Sequence, residues 1–257
     1  MRKWLLNEFT GEEIRQALED GRVDCAVIVF GSCENHGHHL PLGPDLFVPM
    51  EMARRIAEEL DNVVVLPGMP FGASVHYSHY PLAVSLQFQT MVALAEDILR
   101  SLVDAGFERL ILLNGHDGNI PALEIAARNI KHESPEATLI YVPAWWEITA
   151  RHMPGAFGDW QGLGHGGEGE TSVTWAVRPD LVDMEQAVRQ MPEDVIRYGD
   201  TATVIWDISE ITDTGATGDP GRADPVKGDA MIQRVADELI GLIRALDASD
   251  WRYDRWR

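Results

Sequence analysis

Apolar residues along the chain alternate between short unbroken runs and longer stretches with helical spacing. Four runs are typical of buried strands, at 24–30, 62–68, 109–115 and 137–146. Apolar positions recur every three or four residues in five other stretches, which predicts helices at 12–18, 45–60, 90–106, 120–133 and 230–247. Near-continuous apolar strands separated by helices predict an α/β fold whose mostly parallel central sheet is covered on both faces.

The chain has 257 residues, enough for one large domain or two small ones. The Gly- and Asp-rich segment 212–229 resembles a linker in composition, but only one predicted helix and a short tail follow it. We therefore expect an ordered loop there and a single domain over residues 1–257.

Polar side chains crowd into the loops that follow the predicted strands. The loop after the first run reads GSCENHGHHLPLGPD (31–45), the third run leads into NGHDGN (114–119), and GHGGEGETS (164–172) lies beyond the fourth. Seven of the nine histidines fall in these loops, including His76 and His79 after the second run. Because parallel α/β sheets bind ligands at the carboxyl ends of their strands, this distribution predicts a functional site at that edge.

Four of these residues, Glu34, His36, Asp45 and His116, favour a metal site. Ionisable groups that meet at strand ends are costly to bury unless a metal or water satisfies them. Carboxylates together with imidazoles suit zinc, manganese or iron. The carboxylates outnumber the usual ligands of one catalytic zinc, which indicates two divalent ions sharing an aspartate. Such a pair can hold a bridging hydroxide and polarise a carbonyl, which is hydrolase chemistry.

Other polar residues in the same loops have structural explanations. We expect His38 and His39 to cap the loop or bond a carboxylate, and Asn114 and Asn119 to hold the turn around the histidine between them. Glu170 is expected to stabilise the start of a helix through the helix dipole. Cys33 is a possible nucleophile, but no Cys–His–acid combination stands out.

The charge balance excludes several classes of partner. Twenty-one basic and 41 acidic residues give a formal charge of −20, which repels nucleic acid and anionic membranes. No apolar run approaches the roughly 18 residues of a membrane span, and the N-terminal apolar stretch is too short for a signal peptide. Two cysteines, Cys25 and Cys33, cannot build a disulfide framework or a zinc finger. These features predict a cytoplasmic protein with a small-molecule substrate.

Taken together, the loop motifs resemble the creatininase family of metal-dependent amidohydrolases. The matching segments are GSCENHGHHLPLGPD, GASVHYSHYPLAVSL, NGHDGN, HGGEGETS and TGATGDPGRADPVKGDA, in the family's order from Gly31 to Ala230. The resemblance implies a three-layer α/β/α domain, a binuclear metal centre and assembly into hexamers.

The resemblance also implies which residues would bind the two metals. One ion would take Glu34, Asp45 and His116, and the other would take His36, the same aspartate and a glutamate. In creatininase that glutamate lies two residues beyond the NGH histidine, where this chain has Gly118.

The missing ligand must therefore come from another segment. Glu168 in the HGGE motif is the expected replacement, as both metal ligand and catalytic residue. By the same resemblance, His165 is the catalytic residue that carries a proton to the leaving group.

The substrate side departs from the family pattern at Asp117, Gly118 and Leu82, and Gly118 is expected to leave room beside the metals. We therefore expect creatinine to be a poor substrate and a different cyclic or formyl amide to be a better one. The candidate substrate-contacting residues are Ser74, His76, Asp117, Trp145, Trp146 and Trp160. The tryptophans are equally compatible with packing in the core or at a subunit interface.

Three alternatives stay open at this point. Relatives in the family open keto-inositol rings or trim a dipeptide from a precursor peptide, and a non-catalytic metal-bound scaffold is a third reading. A nucleotide-binding protein is a poorer one, because the GHGGEGE segment places acids where phosphates would lie.

Overall fold

The central sheet has four parallel strands in the order β2-β1-β3-β4. The computed structural model describes residues 3–158, 163–192 and 205–251. The strands are β1 (Cys25–Phe30), β2 (Val63–Val65), β3 (Arg109–Asn114) and β4 (Thr138–Val142). Strand β1 pairs with β2 from Cys25 opposite Val63 and with β3 from Cys25 opposite Arg109. The predicted parallel sheet is thereby confirmed.

Seven α-helices occur in the described ranges. They are α1 (Gly11–Glu19), α2 (Pro44–Glu59), α3 (Phe88–Asp104), α4 (Ile120–Glu133), α5 (Trp145–His152), α6 (Glu168–Val177) and α7 (Pro225–Ala248). Local sequence explains their starts: Thr10 and Glu13 form a capping box at α1, and proline occupies the first turn of α2, α4 and α7. None of these helices is long and apolar enough to cross a membrane.

The fourth predicted strand is shorter than the apolar run that suggested it. Strand β4 ends at Val142, and Trp145 and Trp146 begin helix α5 instead of extending the strand. Pro143 lies at the change, where a residue without an amide hydrogen cannot continue the ladder.

Helices cover both faces of the sheet. Val27 and Val29 of β1 pack in one core with residues of α2, α6 and α7, whereas Ala26 and Ile28 pack in a second core with α1, α3 and α4. Alternate residues of a strand point to opposite faces, so a strand apolar at every position needs two cores. The three-layer α/β/α arrangement follows.

The order of the strands creates a crevice at the carboxyl ends of β1 and β3. The chain leaves β1 for β2 through α2, which lies on one face, and then returns past β1 to β3 through α3, on the other face. Ligands of open α/β sheets bind where the strand order reverses in this way. The loops after β1 and β3 both open into this crevice.

The segment 212–229 packs against the rest of the chain. Gly218 pairs with Gln190 in an antiparallel bridge, and the Thr217 amide donates to the carbonyl of His165. Asp224 caps α7 by accepting from the Val226 amide, so the loop ends there and residues 225–229 form the start of that helix. The expectation of an ordered loop in place of a linker is therefore confirmed.

Candidate metal centre

Three side chains from different elements meet at the crevice to form a first ligand group. Glu34 follows β1, Asp45 lies in the first turn of α2, and His116 follows β3. The Nδ1 atom of His116 lies 3.3 Å from Oε1 of Glu34 and 3.2 Å from Oδ2 of Asp45. All three are buried, and their facing atoms are close enough to hold one ion.

A glycine makes this approach possible. A Cβ atom on Gly115 would lie 1.9 Å from the carbonyl oxygen of Asp45, so any larger residue would push the start of α2 away from β3. Gly115 thus lets Asp45 come alongside His116.

The second ligand group shares Asp45 with the first. The Nε2 atom of His36 lies 3.2 Å from Oδ1 of Asp45 and 3.6 Å from Oε1 of Glu170, which is in the first turn of α6. These three residues are also buried and close enough to hold an ion. Asp45 offers one carboxylate oxygen to each group, the geometry required of a ligand that bridges two ions.

Backbone carbonyls fix both imidazoles in the tautomer that a metal needs. A carbonyl can only accept, so Nε2 of His116 donates to Ala73 at 3.2 Å and Nδ1 of His36 donates to Glu34 at 3.0 Å. The remaining nitrogen of each ring faces the carboxylates and, once it loses its proton, can offer its lone pair to an ion. Metal-binding histidines are commonly oriented by such a second hydrogen bond.

The glutamates are oriented in the same manner, each with one oxygen held by the protein. The Ser32 hydroxyl donates to Oε2 of Glu34 at 2.7 Å, and the Gly166 amide donates to Oε2 of Glu170 at 2.5 Å. Oε1 of Glu34 and Oδ2 of Asp45 are buried without a hydrogen-bond partner. Such atoms are costly to bury, and a divalent cation would satisfy both, so the donor set fits the metal-site hypothesis.

Protons balance part of this negative charge in the metal-free protein. Burial lowers the pKa of His116, but Glu34 and Asp45 outweigh it and raise the pKa to about 9. Burial likewise lowers the pKa of His36, while Glu170 and Asp45 raise it well above its usual range. Burial raises the pKa of Asp45, but the two histidines hold it below its usual value.

Metal binding at pH 7 should therefore release protons. His116 titrates near 6.5 when unfolded and at about 9 when folded, so its protonated form stabilises the metal-free protein below pH 6.5 and loses that effect as pH rises through 9. A bound ion displaces the same proton, so apparent metal affinity should rise with pH over this window. Calorimetry in two buffers of different ionisation enthalpy should give about two protons released for two ions. An enthalpy independent of the buffer would contradict this.

Glu168, the expected fifth ligand residue, lies outside both groups. Its Oε2 accepts from the Gly158 amide at 2.9 Å, and its Oε1 is paired with Lys227. Residues two positions apart in an α-helix are separated by about 200° around its axis, so the side chains of Glu168 and Glu170 point to opposite sides of α6. The expectation that Glu168 lies in the cluster is therefore corrected: Glu170, which was expected only to interact with the helix dipole, is the glutamate that lies beside His36.

His165 lies at the edge of the cluster. Its Nε2 donates to the carbonyl of Asn35 at 2.6 Å, and its Nδ1 lies 3.9 Å from Oε2 of Glu170. Its ring packs against His36 at 4.2 Å between centroids. Burial lowers the pKa of His165, and the charge of His36 lowers it further. The ring is therefore neutral at pH 7, with a basic nitrogen turned toward the metal ligands.

The loop asparagines have the structural role expected of them. Asn114 donates to the carbonyl of His116 at 2.6 Å and accepts from its amide at 3.2 Å, and Asn119 accepts from the Ala73 amide at 2.8 Å. His39 is buried and its Nε2 lies 2.9 Å from the Thr171 hydroxyl, so it ties the first loop to α6.

The ligand cluster forms the floor of a cleft of about 750 Å³. Of the residues expected to contact substrate, His76, Asp117 and Trp146 line this cleft. Trp145 is packed in the core beside α7, with 2% of its surface exposed, so its predicted substrate contact is corrected. Trp160 lies outside the described residues.

The predicted contact of Ser74 with substrate is also corrected, because this residue lies behind the cluster. Its hydroxyl is fully buried, 2.5 Å from that of Ser32 and 3.4 Å from Nε2 of His116. It therefore supports the hydroxyl that orients Glu34, and it is not among the residues that line the cleft.

Gly118 does not leave room beside the metal ligands. A Cβ atom there would lie 2.2 Å from the carbonyl oxygen of Ala73, 2.6 Å from Nε2 of His116 and 2.9 Å from Cε1 of His76. The backbone and the His76 ring fill the space, which corrects the expectation from sequence. A glutamate at position 118 is incompatible with this packing, and the glutamate that completes the group of His36 and Asp45 is Glu170 of α6.

Two residues of the site were not anticipated as functional. Tyr77 lines the cleft, is buried, and packs its ring 4.4 Å from that of His165. Burial raises the pKa of Tyr77, and Glu34 and Glu170 raise it further, so the phenol stays protonated. Thr217 accepts from the His165 amide at 3.1 Å, across 52 residues of chain. No local pattern reveals such contacts.

Comparison with known proteins supports the motif-level resemblance. The creatininase family model, described as creatinine amidohydrolase, matches residues 7–243. Creatinine amidohydrolase of Pseudomonas putida is 29% identical over 203 residues, covering 73% of this chain and 76% of its own. The mycofactocin precursor peptide peptidase of Mycolicibacterium smegmatis is 27% identical over 246 residues, covering 91% and 87%. The 3-dehydro-scyllo-inosose hydrolase of Thermotoga maritima is 26% identical, covering 74% and 61%.

Solved structures agree with the fold. The creatinine amidohydrolase (creatininase) crystal structure superposes with a TM-score of 0.78 at 26% identity, covering 95% of this chain and 97% of that chain. A manganese creatininase gives 0.79 at 25% identity, covering 95% and 98%. A Zn-Zn type creatininase variant gives 0.78 at 25% identity with the same coverage.

Proposed function

The chain belongs to the creatininase family of metal-dependent hydrolases, and from that premise we propose that it uses two divalent ions to hydrolyse a small cyclic or formyl amide. The observation that carries the proposal is Asp45, which turns one carboxylate oxygen to each of two buried ligand groups. A single-ion site would not need a carboxylate placed between two histidines.

We assign the two ion sites from the geometry of the cluster. Glu34, Asp45 and His116 would hold the first ion, and His36, Asp45 and Glu170 the second. Zinc, manganese and iron all suit this mixed oxygen and nitrogen set. When bound, the ions would supply an activated water and polarise the substrate carbonyl.

His165 is the proton carrier in this proposal. Its Nε2 is occupied by the carbonyl of Asn35, so Nδ1, on the side of Glu170, is the nitrogen that can accept a proton. Its pKa is lowered by burial, which keeps the ring neutral and able to act as a base before it acts as an acid. The proton then passes from Nδ1 to the leaving nitrogen. Rings of Tyr77 and His36 pack against it and hold its orientation.

His165→Ala is expected to reduce kcat by about 10²-fold or more while both ions stay bound. The reason is that His165 belongs to neither of the two groups that share Asp45, although it lies close enough to Glu34 and His36 to form a third group. Elemental analysis and steady-state kinetics of the same preparation would test this. His132→Ala on the exposed side of α4 is the matched control and should change neither quantity. Loss of metal from the His165 variant would show that His165 is a ligand and not a proton carrier.

The substrate proposal is tested with a panel of ring amides, lactams, formamides and polyhydroxylated cyclic ketones, offered to manganese- and zinc-loaded protein. We expect turnover of a cyclic or formyl amide, abolished by chelation and restored by metal. Creatinine should be a poor substrate, because the residues around Gly118 fill the space beside His116. Efficient creatinine hydrolysis would overturn this expectation. Turnover of the ketones alone would favour the ring-opening activity of the inosose hydrolase relative.

We also propose that residues 1–257 form one hydrolase domain, that the protein is cytoplasmic, and that six chains assemble into a hexamer. Family resemblance supports the assembly. Light scattering after size exclusion should give six times the chain mass of 28.6 kDa. A monomer mass would contradict the assembly and leave the metal centre untouched, since every assigned ligand belongs to one chain.

A further inference from the structure

The cleft above the ligand cluster has an excess of negative charge. Five carboxylates line it within the described residues, namely Glu34, Asp45, Asp117, Glu147 and Glu170. No lysine or arginine lines it in the part of the chain that the structure describes. Two divalent ions would neutralise four of these charges and leave the cleft negative. Such a cleft attracts cations and repels anions.

Asp117 and Glu147 contribute charge that the metal centre does not use. Asp117 begins the short 3-10 turn after His116, and Glu147 lies in the first turn of α5. Neither belongs to a ligand group, and neither has a hydrogen-bond or ion-pair partner among the described side chains. Unpaired acids are common in a chain with twice as many acidic as basic residues, so their position beside the cluster is the informative feature.

The upper walls of the cleft are apolar and open to water. Val75, Phe88, Trp206 and Ile205 line it, and they are 45%, 41%, 41% and 87% exposed. Trp146 adds a second indole. Large apolar side chains grouped at a pocket mouth are costly in water and mark a surface that a ligand covers. The cleft volume falls in the range of sites that bind small organic molecules.

We infer that the substrate is an amide whose apolar or aromatic body carries a basic group, and that Asp117 and Glu147 select for that group. The inference rests on the proposed function, because the carbonyl would lie at the metal centre while the body lies against the indoles. A substrate with a free carboxylate would find no cation in the described lining. The charge pattern therefore disfavours a peptide that binds through its C-terminal carboxylate.

A series of three metal-chelating ligands tests the inference without knowledge of the substrate. Benzohydroxamate and its para-aminomethyl and para-carboxy derivatives share one chelating group and one ring, and differ in charge. Calorimetry with zinc-loaded protein would measure their dissociation constants. We expect the aminomethyl compound to bind roughly tenfold more tightly than the parent, and the carboxy compound roughly tenfold more weakly. Added salt should reduce both differences.

Charge-neutralising variants identify the residues responsible. In the double variant Asp117→Asn/Glu147→Gln, the ratio of aminomethyl to parent affinity should fall from roughly ten to roughly one. The matched control is Glu108→Gln/Glu136→Gln, which removes two charges at the opposite end of the sheet, before β3 and β4. It should keep the wild-type ratio.

Three results would overturn the inference: equal binding of all three compounds, tightest binding of the carboxy compound, or an unchanged ratio in the cleft double variant. Failure of all three compounds to bind zinc-loaded protein would have a different meaning. It would contradict the hypothesis of a metal centre at this site, and therefore both the proposed function and this inference.

Discussion

Replacing Asp45 by Ala is expected to lower the bound metal from about two ions per chain to fewer than about 0.5 and to abolish hydrolysis. Asp45 is the one carboxylate that faces both histidines of the cluster, at 3.2 Å from each. Its loss therefore removes a ligand from both sites at once. Elemental analysis of protein purified without chelators, together with the kinetics of the same sample, measures the effect.

The same substitution tests the electrostatics of the metal-free protein. Asp45 lies between two histidines whose pKa values it raises, so its removal leaves buried positive charge that has to be lost or left uncompensated. Breaking a buried ion pair by removing one partner costs about 3–5 kcal/mol. Thermal unfolding in chelator at pH 7 should show this loss. Asp45→Asn is a second variant, which keeps the shape of the side chain and removes its charge. Asp104→Ala, on the exposed end of α3, is the surface control. Two ions retained in the Asp45 variants would refute the bridging role.

The position of the site could be predicted from sequence because it depends on strand order. Apolar runs identified the strands, and the polar loops that follow them contain Glu34, His36 and His116. In a parallel sheet all strands end at the same edge, so residues far apart in the chain are expected to meet there. Their distances and the sharing of Asp45 depend on packing, for example on the close approach that Gly115 permits.

The sequence could not predict in the same way which side chains of a helix point into the core and which point into the cleft. Trp145 and Trp146 are adjacent, but one is buried against α7 and the other faces the cleft. Which of two neighbouring residues points inward depends on where the helix begins, and the apolar run 137–146 placed both in a strand. The supporting roles of Ser74 and Thr217 could not be predicted for a related reason, because their partners are distant in sequence.

The acids of the HGGEGETS segment show this limit most clearly and provide the last prediction. Glu168 and Glu170 lie on opposite sides of α6, and the choice between them depends on how α6 packs against α7. Glu170 meets His36, whereas Glu168 meets Lys227 at the start of α7. A pattern that contains both glutamates cannot distinguish a metal ligand from a packing contact.

Glu170→Gln is expected to reduce bound metal from about two ions to about one, because only Glu34, Asp45 and His116 keep a complete group. Hydrolysis should fall with the second ion, and the spin-coupled resonance of a manganese pair should disappear. Glu168→Gln is the matched control, with the same change two residues away. It should keep both ions but lose roughly 1–3 kcal/mol of stability, since Glu168 and Lys227 are 14% and 22% exposed and their pair is largely shielded from water. The two variants should therefore separate metal content from melting temperature. The reverse outcome, with one ion in the Glu168 variant and two in the Glu170 variant, would make Glu168 the fifth ligand residue and contradict the geometry of α6.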